Sequence, residues 1–68
     1  MTDHVYSVSE IVGTSPDGIE PAIENALARA RKTLRNLDWF ETTEVRGHLD
    51  DGAVDYWQVT LKLGFRME

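Results

Sequence analysis

The sequence predicts an α+β fold in the order β-α-β-β, with one helix packed on one face of a three-stranded antiparallel sheet. Three observations carry this reading. Trp57, Val59, Leu61, Leu63 and Phe65 alternate with Tyr56, Gln58, Thr60, Lys62, Gly64 and Arg66, the pattern of a strand with one covered face. Ile19, Ile23, Ala26, Leu27, Ala30, Leu34 and Leu37 recur at helical spacing and form one apolar stripe. "DDG" at 50–52 separates two strand-like runs and marks a hairpin. The chain has 68 residues, read as a single domain over 1–68.

The elements follow in order. His4 to Val12, "HVYSVSEIV", is rich in β-branched and aromatic residues and reads as the first strand. Its apolar residues fall on both parities, which predicts cover on both faces. One helix covers only one of them. "GTSPDG" at 13–18 breaks this strand, and Ser15-Pro16 has the form of an N-cap followed by a first helical proline. Pro21 would then lie beyond the first turn and remove a hydrogen bond, so a short turn at 16–19 and a regular helix from about Glu20 are expected. Acidic residues come early in the helix and basic ones late, as its dipole prefers. Asn36 suits a left-handed position at the helix end. Trp39 to Leu49 and Val54 to Met67 form the second and third strands.

Placing Val45 and Val59 on one core sets a register in which Arg46 faces Gln58, Phe40 faces Gly64 and Trp39 faces Phe65. That register demands a loop around residues 51–53, longer than a tight two-residue turn, which would flip every side chain. Strict alternation puts Trp39 on the helix face and Phe40 on the polar face. The other reading is that Trp39, directly after the helix, is not yet in regular strand and projects outward, leaving Phe40 to the core.

Composition narrows the function. Seven Lys and Arg against twelve Asp and Glu give a net charge of −5, which argues against nucleic-acid binding. No apolar run reaches the roughly 20 residues of a membrane span. No signal-peptide pattern is present, so a cytoplasmic location is expected. Cysteine is absent, which excludes disulfides and thiolate metal sites. His4 and His48 lack a carboxylate cluster at metal spacing, and no metal site is expected. A domain this small is marginal alone, which leaves oligomerisation as its support.

Few residues carry chemistry. "GTSPDG" offers backbone N–H groups near a helix start but matches neither a Walker A nor a dinucleotide fingerprint, so an ordinary capped turn is the better reading. His48 with Asp50 and Asp51 sits at a hairpin tip without a nucleophile, which points to a solvated turn rather than acid–base catalysis. Arg46, Lys62 and Arg66 share the polar sheet face with Gln58, where they can pair with Glu10 or Glu44, hold a phosphate, or simply be solvated. Gln58, directly after two rings in "DYWQVT", could read a planar heterocycle, although a surface strand glutamine is the better reading.

Taken together, "EIVGTSPDG", "ALARARKTLRNLDWFE", "EVRGHLDDG" and "YWQVTLKLGFRME" resemble a bacterial dodecin over nearly the whole chain. The resemblance implies a hollow homo-dodecamer that binds flavin, FMN in bacterial members (or riboflavin or FAD), and in several members coenzyme A. It implies paired flavins at subunit contacts, each stacked on a tryptophan and hydrogen-bonded by a glutamine. The matching positions are Trp39 in "LDWFE" and Gln58 in "WQVTLK", with Arg46 and Arg66 on the phosphate side. It also reverses the expectation for the aromatic pair: Trp39 outward, Phe40 inward or at a subunit contact. Pro21 departs from the family's helix start. The role implied is flavin storage, buffering and photoprotection without catalysis. The alternatives are a coenzyme A or nucleotide store with flavin secondary, and a small flavin reductase.

Overall fold

The computed structural model describes residues 3–67. It contains β1 (Val5–Ser15), α1 (Ile19–Ala30), β2 (Leu37–Asp50) and β3 (Ala53–Met67). The sheet order is β1-β3-β2 and both pairings are antiparallel. The strand with the clean alternation is therefore the central one. Its Val59, Leu61 and Leu63 are fully buried against Ala22, Ala26 and Ala30 of α1. Ile11, Ile23, Leu27, Leu34 and Leu37 pack around this centre.

Ala22 was not part of the expected apolar stripe, yet it is fully buried, while Ile19 is largely exposed. Close approach explains this. A Cβ on Gly13 of β1 would overlap the Ala22 carbonyl and lie 2.8 Å from the Ala26 Cβ. Small residues on both partners let the helix axis sit close to the strand, and the larger Ile23 and Leu27 flank the seam.

β1 is longer than expected. Gly13, Thr14 and Ser15 do not break it, because they pair with Val59, Gln58 and Trp57 of β3. Ser15 is not the helix cap. It is buried, and its hydroxyl accepts a hydrogen bond from the Asp17 N–H at 3.0 Å. Gly18 takes the cap position at φ 143°, and the first helical bond runs from Ala22 N–H to the Gly18 carbonyl. This resolves Pro21. It lies at the third helical position, where an N–H would have no partner within the helix, so its absence removes no bond. At the other end α1 stops at Ala30, earlier than the stripe implies. A tight turn follows, with Thr33 and Leu34 both donating to the Ala30 carbonyl. Asn36 is left-handed as expected, at φ 61°.

The expected register holds at the middle of the hairpin: Val45 faces Val59 and Arg46 faces Gln58. The expected long loop does not form. Asp51 and Gly52, both at positive φ, make a two-residue turn between Asp50 and Ala53. The extra residue is taken up in the ladder, where Asp55 is skipped between the Leu49–Val54 and His48–Tyr56 pairs. A turn too short for the pattern and a pattern too long for the turn are thus reconciled by one bulge.

A helix of 12 residues spans about 18 Å, whereas the molecule is 55 Å long and only 14 Å across its thinnest direction. α1 packs on β1 and β3 and leaves most of β2, beyond Leu37, without helix cover. Phe40, Val45 and Leu49 are exposed as a result, and so is Val54 at the far end of β3.

Candidate functional site

Two more irregularities in β2 decide where Trp39 points. Between the Glu44–Thr60 and Thr42–Leu61 pairs, Thr43 is skipped, and its hydroxyl donates to the Thr60 carbonyl at 3.3 Å. Beyond this bulge the register moves by one residue. Trp39 faces Gly64 rather than Phe65, and Phe40 faces Leu63 rather than Gly64. Leu63 belongs to the buried row. Phe40 therefore lies on the helix-bearing face and Trp39 on the opposite, open face. A second skipped residue, Asp38, separates Leu37–Phe65 from Trp39–Gly64. Leu37 and Phe40 are three apart and could not share a face of a regular strand. The bulge at Asp38 lets both do so and leaves Trp39 alone on the other side. Strict alternation fails here for a local reason, and the outward orientation follows.

Gly64 completes the arrangement. The Cε2, Cζ2 and Nε1 atoms of Trp39 occupy the space that a Cβ on Gly64 would need. The indole rests directly on the backbone of β3 while 41% of the residue stays exposed. One aromatic face is held by the sheet and the other is presented outward. Tyr6 of β1 flanks it, with ring centroids 6.4 Å apart and planes tilted by 52°. The Tyr6 hydroxyl donates to Asp38 Oδ2 at 2.8 Å. That hydrogen bond, followed by desolvation and the carboxylate's charge, raises the Tyr6 phenol above its ordinary value of 10.0, with Arg66 opposing.

The rows across the open face place the other residues. Tyr6 is level with Arg66, Val8 with Gly64 and Trp39, Glu10 with Lys62 and Glu41, and Thr14 with Gln58 and Arg46. Arg66 thus lies near Trp39, and Gln58 lies near Arg46. Arg46 is paired with Glu44 at 3.1 Å, one of the two partners expected for the basic group. Gln58 and Gly64 are six residues apart on one strand, roughly 20 Å at ~3.3 Å per residue. The four candidate residues fall in two pairs at opposite ends of one face, not in one cluster. Trp57 joins neither, because it is level with Ser15 and Gly47 on the helix-bearing side.

The sequence of this chain is that of a known family over nearly its full length. The Dodecin family model matches residues 5–68. The chain belongs to the dodecin family. A dodecin from Thermus thermophilus is 58% identical over 64 residues, covering 94% of this chain and 93% of its own. The structure of dodecin from Streptomyces coelicolor superposes with a TM-score of 0.94 at 62% identity, over 100% of this chain and 97% of that one. Dodecin from Streptomyces davaonensis superposes at 0.93 with 57% identity, over 98% of each chain.

The remaining candidates stay structural. His48 pairs with Asp55 at 3.3 Å and stacks on Tyr56 at 4.8 Å, which staples the hairpin tip beside its bulge. No cluster of metal-ligating side chains occurs among the described residues. No helix of the described residues is long and apolar enough to cross a membrane. Tyr6, Asp38 and Gly64 were not singled out as site residues from sequence. A glycine inside a strongly alternating strand marks close approach of another group, and Gly64 carried that signal.

Proposed function

We propose that this dodecin is a non-enzymatic flavin carrier that holds FMN on Trp39 within a homo-oligomer, dodecameric as the family resemblance implies, for storage and photoprotection. The observation that carries the reading is the indole laid on Gly64 with its outer face exposed. A planar, polarisable platform anchored on backbone fits an isoalloxazine ring, and stacking on such a platform contributes about 1–3 kcal/mol. Bound flavin supplies a light-absorbing, redox-active ring. Trp39 supplies an electron-rich surface suited to quenching it. Gln58 offers an amide donor and acceptor for the polar edge of the ring. Arg46 and Arg66 offer guanidinium groups for the phosphate. Because Trp39 and Gln58 are roughly 20 Å apart within a chain, one flavin meeting both draws them from different subunits. Solved relatives include Thermus thermophilus dodecins in which a tryptophan or either of two arginines is replaced, the same residue types.

The test is native mass spectrometry of the purified protein with ligand retained, followed by FMN titration of Trp39→Ala. The expected outcome is FMN bound to an oligomer, with affinity reduced about 10- to 100-fold in the variant, the scale of one stacking contact. Unchanged affinity in Trp39→Ala removes the site assignment. A coenzyme A or nucleotide store remains the second reading, favoured by the three cations of the open face. Against it, Lys62, the cation that this reading adds, is flanked by Glu10 and Glu41. Steep salt dependence with intact affinity in Trp39→Ala is the result that would select it.

A further inference from the structure

We propose that Tyr6 is a positioning residue for Trp39: its hydrogen bond to Asp38 fixes the bulged start of β2 so that the indole stays flat on Gly64. This deepens the flavin reading and rests on it. β1 and β2 are not neighbours, because β3 lies between them. Their axes are separated by two strand spacings, roughly 9–10 Å. Only a long side chain lying over β3 spans that gap, and the tyrosine does so to reach Asp38 Oδ2 at 2.8 Å.

The partner is placed for this purpose. Asp38 is the extra residue of the bulge, with no opposite number on β3. A bulged residue is the least constrained position of a ladder, and here it directly precedes Trp39. The preceding segment is tied separately: the Arg66 N–H donates to the Asn36 carbonyl at 3.0 Å, and the Asn36 amide donates to the Arg66 carbonyl at 3.4 Å. Between this tie and the Phe40–Leu63 pair, where Leu37 is held by packing, the Tyr6–Asp38 bond is the side-chain hydrogen bond that holds the strand among the described residues. Its acceptor is charged, which makes it stronger than a neutral bond. The Tyr6 ring also stands 6.4 Å from the indole, tilted by 52°, and forms a wall on one side of the stacking surface.

Neither residue is part of the buried centre. Tyr6 and Asp38 are both exposed. Removing the bond therefore loosens the platform without opening the core, and this separates positioning from stability.

The experiment compares wild type, Tyr6→Phe, Asp38→Asn and the double variant by FMN titration, residual fluorescence of bound FMN and native mass spectrometry. Tyr6→Phe keeps the ring wall and deletes the bond. The expected result is an affinity loss on the order of fivefold, the scale of one net hydrogen bond, with brighter bound flavin and unchanged assembly. Asp38→Asn should move in the same direction by less, because its amide oxygen still accepts from the Tyr6 hydroxyl as a neutral partner, and the double variant should be no worse than Tyr6→Phe, which already lacks the bond. Tyr6→Phe binding FMN within twofold of wild type, with the same quenching, overturns the proposal. So does loss of assembly in Tyr6→Phe, which would make the role structural. If the wild type binds no FMN, the flavin reading fails by itself. The positioning is then read from the near-UV circular dichroism of Trp39 in a Trp57→Phe background, where no change on Tyr6→Phe overturns it.

Discussion

A methyl group on Gly64 would sit inside the Trp39 indole. The backbone there is ordinary strand, so Gly64→Ala introduces no backbone strain, only an overlap that the ring must leave. The expected outcome is a native far-UV circular dichroism spectrum with FMN affinity lowered about tenfold, within the range of one stacking contact. Unchanged affinity and quenching in Gly64→Ala would show that the ring is not used in this pose. The same residues show what was legible in sequence. Arg46 opposite Gln58 followed from hydrophobic alternation. The direction of Trp39 did not, because alternation counts residues and a bulge adds one that the count cannot see. The family resemblance named the outward tryptophan; only the skipped Thr43 and Asp38 explain it.

At the scale of elements, the helix seam rests on missing atoms. Gly13→Ala would press a Cβ into the Ala22 carbonyl, a backbone atom that cannot rotate aside, and into the Ala26 methyl. The helix has to lift from β1, an overpacking that costs about 1–3 kcal/mol. Denaturant unfolding should show a lower midpoint with the same slope. A midpoint equal to wild type would mean that the helix is free to slide along the strand. Element types and order were readable because the helical and strand periods are distinct over their whole lengths. Their ends were not. The regular helix starts at Ile19, beside the expected Glu20, but β1 runs on to Ser15 and the cap is Gly18, because the Gly13–Ser15 backbone already has partners on β3. Those partners are distant in sequence and leave no local trace.

The whole molecule is too long for its helix. Its radius of gyration is 14.2 Å, against about 11 Å for a compact chain of this length. The excess is the β2–β3 arm, where Val45 faces the buried Val59 yet is itself 46% exposed, beyond the reach of α1. A face that begins as core and continues uncovered is the surface we propose another subunit completes, in keeping with the oligomeric assembly that the family implies. Val45→Glu places a charge on that continuation without touching Trp39, Gln58 or either arginine. The expected outcome is a smaller species by native mass spectrometry and loss of FMN binding with it. The two losses are linked by geometry: half-sites roughly 20 Å apart on one strand cannot meet one ring unless a second chain brings its own half. A monomeric Val45→Glu protein that is folded by circular dichroism and binds FMN as tightly as wild type would break that link, and would place the whole site within one chain.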